Sequence, residues 1–160
     1  MIMKTKYGEV EIELYNDTAP NHVKRFKELA DTGKFDGVVF HRVIEGFMAQ
    51  TGDIKYGNSS NADYNLSLAG TGGSDLPNLK AEFSEIPHVR GILSAARSSD
   101  PNSSNSQFFI CLDNAPHLDR QYSVFGKVTK GMEFIDKIKK GAQGSGAVDE
   151  PDKIITLKSK

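Results

Sequence analysis

The chain has 160 residues and a formal net charge of −1, so it is long enough for one domain with its own core and has no overall attraction for nucleic acid or anionic lipid. No apolar run is long enough to span a bilayer. The segment before Tyr7 lacks the apolar core of a signal peptide, which predicts a cytoplasmic protein. Cys111 is the only cysteine, which excludes an internal disulfide, and its apolar neighbours predict a buried side chain.

The first two predicted elements are a β-hairpin and a helix. Residues 1–6 and 9–15 are strand-like, and the second arm alternates polar and apolar side chains as a half-buried strand does. Asp17 or Thr18 can cap the helix that follows, and Pro20 suits its first turn. The apolar residues of this helix fall on one face.

The remaining predicted elements are mostly short strands. The β-branched run at 38–44 predicts a buried strand, and the Asn- and Ser-rich segment 55–69 predicts a long surface loop. Apolar residues at helical spacing predict a second helix at 131–139. Further strands are expected at 91–96, 107–112, 122–128 and 153–158. Many short strands with two separated helices indicate a single mainly β domain over 1–160, either a closed antiparallel barrel or a sandwich.

The sequence lacks the motifs of several enzyme classes. No GxSxG motif precedes a helix, and the glycines at 70–73 match neither a phosphate loop nor a dinucleotide fingerprint. The histidines are scattered, with no HExxH motif and no His-Cys cluster, so a metal site is not predicted. An enzyme with this sequence is expected to work without a covalent intermediate, a metal or any other cofactor.

The stretch FHRVIEGFMAQTGD, residues 40–53, brings three kinds of side chain together. It contains the cation of Arg42, the apolar pair Phe47-Met48 and the amide of Gln50. Taken singly, these residues have ordinary structural explanations, with the apolar pair in the core and Arg42 paired with a nearby carboxylate such as Glu45. These residues by themselves do not decide between the structural explanations and one common site.

Several segments, in order, resemble the cyclophilin family of peptidyl-prolyl isomerases. They are the stretch above, GTGG at 70–73, GILSAA at 91–96, SQFFI at 106–110 and HLDRQYSVFGKV at 117–128. The likeness extends over nearly the whole chain. It implies a closed eight-stranded antiparallel β-barrel capped by two α-helices. It also implies catalysis of cis-trans rotation about X-Pro peptide bonds.

The resemblance implies a role for each matching residue. Arg42 is implied as the catalytic arginine, with Gln50 in polar contact near the rotating bond. The implied apolar pocket for proline consists of Phe47, Met48, Phe109 and Leu118. The other implied substrate-binding residues are Gly70, Ala96, Arg97, Gln107, His117 and Tyr122.

Three of these positions depart from the pattern of many relatives. Tryptophan is usual at the position of His117, histidine at Tyr122 and asparagine at Arg97. The missing indole implies at most weak binding of cyclosporin. The expected partners are proline-containing peptides and unfolded protein chains whose folding the enzyme assists. Neither nucleic acid nor membrane is an expected partner, and the protein is expected to be a monomer.

Two other functions stay open at this level. The altered wall positions and the long polar loop suit a proline-peptide binding module without turnover. An unrelated barrel that binds a small molecule is the third possibility.

Overall fold

The strands of this protein form one antiparallel sheet. The computed structural model describes all residues from 1 to 160. The strands are β1 (Ile2–Thr5), β2 (Gly8–Leu14), β3 (Arg42–Ile44), β4 (Met48–Thr51), β5 (Ile92–Ala95), β6 (Phe108–Cys111), β7 (Val124–Lys130) and β8 (Thr156–Lys158). Their order in the sheet is β3-β4-β6-β5-β7-β2-β1-β8. The helices are α1 (Pro20–Asp31) and α2 (Met132–Asp136), with a short 3₁₀ turn at Pro116–Leu118. The predicted eight antiparallel strands and two helices are confirmed.

The sheet is a curled half-barrel, and the predicted closed barrel is wrong. Strands β3 and β8 are the two edges and do not pair with each other. The gap between them is crossed by irregular backbone, in which Val43 N–H donates to Gly146 O at 2.8 Å and Phe40 N–H donates to Asp152 O at 2.8 Å. Both edge strands have only three residues, so no continuous ladder closes the barrel.

The predicted strands at 38–44 and 153–158 are both shorter in the structure, and one observed strand was not predicted. The predicted strand at 38–44 is reduced to β3, because Val38 and Val39 form only isolated bridges. Strand β4 was not predicted. Three of its four residues are buried, so it has no alternation of polar and apolar residues to reveal it.

The main core lies between α1 and the inner face of the sheet. The Phe26 ring of α1 packs edge-on against Phe108 of β6, with centroids 5.1 Å apart, and lies 5.2 Å from Phe125. A second, smaller apolar cluster contains Met48 and Phe109. Phe108 and Phe109 therefore face opposite sides of β6, as the strand period requires. The second cluster is the floor of the candidate site.

Helix α1 begins without the predicted side-chain cap. Its N-cap residue is Ala19, and no side chain of the helix itself caps it. The Glu82 carboxylate, from a distant loop, accepts hydrogen bonds from Asn21 N–H at 3.2 Å and His22 N–H at 2.9 Å. The prediction of Asp17 or Thr18 as the cap is wrong because this long-range contact satisfies the helix terminus.

No helix of the structure has both the length and the apolar character needed to cross a membrane.

Candidate active site

Two adjoining pockets bring together most of the predicted site residues. The smaller has a cavity volume of about 90 Å³ and is lined by Arg42, Phe47, Met48, Gln50, Ala96, Arg97, Phe109, Leu118 and Tyr122. The larger, of about 560 Å³, includes Gly70 and Gln107 in its lining. Gln50, Ala96 and Arg97 belong to both pockets. Of the predicted residues, only His117 lines neither pocket. It is exposed, with its ring 5.3 Å from that of Phe47.

The floor of the smaller pocket is apolar and tightly packed. Met48, Phe109 and Leu118 are 2%, 5% and 8% exposed. The pairing of β4 with β6 places Gln50 opposite Phe109, which puts an amide at the edge of the apolar floor. Tyr122 packs edge-on against Phe109, with ring centroids 5.7 Å apart, and forms part of the wall. The pocket therefore suits a compact apolar ring.

Arg42 lies at the rim of this pocket without a carboxylate partner. Its position on β3 pairs directly with Gln50 on β4. Its Nε donates to Ser145 O at 3.1 Å, and its Nη1 donates to Gln50 Oε1 at 3.4 Å. The alternative in which Arg42 pairs with Glu45 is wrong, because the two residues form no salt bridge. The guanidinium is held by neutral oxygen atoms, and no carboxylate compensates its charge at the pocket.

A chain of amide groups fixes Gln50 and links the two pockets. Gln50 Nε2 donates to Gln107 Oε1 at 3.0 Å. Gln107 Nε2 donates to Gly70 O at 2.9 Å and to Gly72 O at 2.8 Å. Because backbone carbonyls only accept, they fix the orientation of the Gln107 amide and then that of Gln50. Gln50 Oε1 is thereby directed toward Arg42.

Asp53 supports the wall of the larger pocket and was not singled out from the sequence. Its side chain is completely buried (0% exposed). Its Oδ2 accepts hydrogen bonds from Gly70 N–H at 2.8 Å and Gly72 N–H at 2.9 Å. A Cβ atom at position 72 would collide with Asp53 Oδ1, so this approach requires glycine. In the sequence, Asp53 is recognisable only as an aspartate that follows a strand and one glycine. Its partners, Gly70 and Gly72, lie 17 and 19 residues further along the chain.

A buried Ser-His-Asp arrangement lies beneath the pocket floor. His88 Nδ1 is 3.1 Å from Asp119 Oδ1, and His88 Nε2 is 2.9 Å from Ser94 Oγ. The carboxylate can only accept, so Nδ1 carries the proton and Ser94 donates to Nε2. Burial lowers the pKa of His88, which keeps the ring neutral. Ser94 is 0% exposed, so no substrate carbonyl can reach its hydroxyl, and the arrangement supports Phe109, whose ring stacks on His88 at 6.2 Å.

Two other buried groups near the site remain uncharged at neutral pH. Burial lowers the pKa of His41 to about 4, although Asp53 acts in the opposite direction, and the charge of Arg42 lowers it further. Burial raises the pKa of Cys111 to about 12, and the charge of Asp119 adds to this. The cysteine is fully buried, as predicted, and it is a protonated thiol without nucleophilic character.

The fold and the pockets define a class of protein. A half-barrel that carries an apolar ring-sized pocket, an adjoining polar pocket and a fixed arginine is suited to an enzyme that acts on an extended peptide. The model of the cyclophilin type peptidyl-prolyl cis-trans isomerase family matches residues 1–159. The chain belongs to this family and is a peptidyl-prolyl cis-trans isomerase. This assignment decides against the binding module without turnover and against the unrelated small-molecule barrel.

Relatives of known sequence and structure agree with the assignment. A probable peptidyl-prolyl cis-trans isomerase of Brucella suis is 54% identical over 156 residues, which cover 97% of this chain and 79% of that protein. Peptidyl-prolyl cis-trans isomerase CYP23 of Arabidopsis thaliana is 38% identical, over 99% of this chain and 69% of that one. A Cryptosporidium parvum cyclophilin type isomerase, crystallised in the presence of the dipeptide Ala-Pro, superposes with a TM-score of 0.81. It is 28% identical, over 99% of this chain and 98% of its own.

Proposed function

We propose that Arg42 accelerates X-Pro rotation by stabilising the twisted amide while the smaller pocket holds the proline ring. The observation that carries this proposal is the unpaired charge of Arg42, held at the pocket rim by Ser145 O and Gln50 Oε1. In the twisted state the amide loses its resonance and its nitrogen becomes a better acceptor. A fixed guanidinium binds that state more strongly than either planar isomer.

Arg42 supplies only part of the acceleration. Rotation about a peptide bond has a barrier of about 18–20 kcal/mol. Enzymes typically lower their barriers by at least about 8 kcal/mol, whereas loss of one preorganised donor typically costs about 10²–10³ in rate. The remainder must come from geometry. Phe47, Met48, Phe109 and Leu118 hold the ring while Gln50 and the backbone near Ala96 hold the chain beside it.

We also propose that the substrates are proline-containing segments of unfolded chains in the cytoplasm, where the enzyme assists folding. The Cryptosporidium parvum isomerase was crystallised in the presence of Ala-Pro, which supports a proline peptide as substrate. Because the two pockets share Gln50, Ala96 and Arg97, an extended segment can cross from one to the other. The expected result is faster proline-limited refolding of an unfolded protein, together with recovery of the enzyme in the cytoplasmic fraction of its cells.

The test of the Arg42 mechanism is an exchange assay on an unstructured X-Pro peptide. Arg42→Ala is expected to lower kcat/KM by about 10²–10³, and Arg42→Lys to recover part of this loss, because it restores the charge without the fork of donors. Lys34→Ala removes an exposed charge outside both pockets and serves as the matched control. Equal activity of wild type and Arg42→Ala would remove Arg42 from the mechanism while leaving the isomerase assignment intact.

A further inference from the structure

Arg97 lies on the boundary between the two pockets and is held in a fixed orientation. It lines both pockets and is half-buried. Its Nε donates to Gln121 O at 2.9 Å, and its Nη1 donates to Ser98 O at 2.9 Å. Its guanidinium carbon lies 4.5 Å from the centroid of the Tyr122 ring. These three contacts position the side chain in the absence of a ligand.

The charge of Arg97 is not neutralised within the chain. Arg90 pairs with Asp136 at 2.6 Å and Arg120 pairs with Glu85 at 2.5 Å, whereas Arg97 forms no salt bridge. Its Nη2 donates no hydrogen bond to any group of the chain. An arginine with a fixed orientation and unused Nη2 donors is prepared to bind an oxyanion.

The surroundings of Arg97 contain no competing negative charge. No aspartate or glutamate lines either pocket, and the only charged lining residues are Arg42 and Arg97. The larger pocket has a single apolar lining residue, and its other residues are mostly glycines, hydroxyls and amides. Asp75 and Asp100 occur in nearby loops but line neither pocket. The groove is therefore positive, although the chain carries a net charge of −1.

We propose that Arg97 selects substrates that carry an anionic side chain, a carboxylate or a phosphate, within the three residues before the proline. This inference rests on the proposed function, because it takes the smaller pocket as the proline site and the larger one as the site of the preceding residues. An extended chain advances about 3.3–3.6 Å per residue, so a side chain close before the proline meets the boundary between the pockets. The anion would bind the free Nη2 edge of the guanidinium.

The test compares peptides that differ only in charge. Rates of cis-trans exchange are measured for matched peptides with Glu or Gln, and with phosphoserine or Ser, at each of the three positions before proline in turn. Wild type is expected to prefer Glu over Gln by about threefold to tenfold in kcat/KM at low salt, and the preference should shrink as ionic strength rises. A preference for phosphoserine without one for Glu would assign the site to phosphate, and both preferences would assign it to oxyanions in general.

The readout for variants is the Glu-to-Gln ratio and not the activity itself, because Arg97 contacts substrate. Arg97→Gln is expected to bring the ratio to about one, and Arg97→Lys to keep part of the preference. Lys34→Gln makes the same change of charge outside both pockets and should keep the wild-type ratio. A wild type that accelerates the anionic and the neutral peptide equally at all three positions overturns the inference alone. A wild type that accelerates neither overturns the proposed function and the inference with it, and an Arg97→Gln ratio equal to that of wild type assigns the preference to another residue.

Discussion

In the proposed mechanism, Arg42 is a cation whose charge stays available for the reaction. Its two contacts within the chain are to Ser145 O and Gln50 Oε1, both neutral oxygen atoms. A carboxylate partner would hold the guanidinium as firmly but would compensate its charge. Neutral acceptors orient the group and leave its charge uncompensated, as the proposed mechanism requires.

The amide chain behind Arg42 leads to a prediction for Gln107. In Gln107→Leu, Gln50 loses its acceptor and the contact to Gly70 and Gly72 is lost. Because three hydrogen bonds are removed and Gln50 loses its fixed orientation beside Arg42, kcat/KM is expected to fall by about tenfold. Peptide exchange kinetics measure this loss. The control is Gln143→Leu, since Gln143 is exposed and lines neither pocket. An effect of Gln107→Leu no larger than that of the control would contradict the role of the amide chain.

The buried Ser94 hydroxyl leads to a prediction for stability. Ser94→Ala removes the donor to His88 Nε2 and leaves that nitrogen buried without a partner. The free energy of unfolding is expected to fall by about 1–3 kcal/mol, as measured by denaturant titration. Ser99→Ala is the matched control, because Ser99 is exposed, and it should change stability by less than about 0.5 kcal/mol. Equal stability of the two variants would show that the His88 contact contributes nothing.

At the scale of elements, helix α1 depends on a residue outside itself. Glu82 accepts hydrogen bonds from two N–H groups of its first turn, and its carboxylate also lies 2.5 Å from His22 Nδ1. Glu82→Ala is expected to lower the free energy of unfolding by about 1–2 kcal/mol, because both the cap and the favourable charge at the helix N-terminus are lost. Glu85→Ala is a suitable control, since its pair with Arg120 is largely exposed. Chemical denaturation of both variants measures the difference, and a Glu82→Ala variant no less stable than the control would contradict the role of Glu82 as cap.

The elements also show how far the sequence could predict the structure. The hairpin, α1 and strands β5 to β7 follow from local periodicity, and the structure confirms them. The cap at Glu82, the buried support at Asp53 and the open seam between β3 and β8 depend on contacts across the chain. No local pattern encodes such contacts. The site residues were gathered by family resemblance and not by their own pattern, because Met48 or Gln50 alone resembles any strand residue.

At the scale of the whole molecule, buried histidines make the fold sensitive to acid. Burial lowers the pKa of His41 from 6.5 to about 4 and also lowers that of His88. The unfolded chain therefore binds protons at a higher pH than the folded one, and stability falls as the pH decreases from about 6.5 toward 4. His41 alone is expected to contribute a loss of about 2–3 kcal/mol near pH 4.5.

Denaturant titrations at pH 7 and pH 4.5 measure this dependence. His41→Asn, which cannot titrate, should lose less stability between the two pH values than wild type does. The comparison uses the change within each variant, so the cost of the substitution itself cancels. An identical change in both proteins would assign the acid sensitivity to other groups.

The four hydrogen bonds of Asp53 have a consequence for engineering. Its Oδ1 accepts hydrogen bonds from Lys55 N–H and Tyr56 N–H, and its Oδ2 accepts hydrogen bonds from Gly70 N–H and Gly72 N–H. One carboxylate thus clamps both ends of the 55–69 loop. These hydrogen bonds fix the ends of the loop beside the two pockets, and the free-energy cost of closing a loop grows only slowly with its length, so residues inserted between the ends are expected to leave the pockets in place. The tip near Asn61 is therefore a natural place to graft a binding peptide, which would add a targeting function to the isomerase without redesign of its pockets.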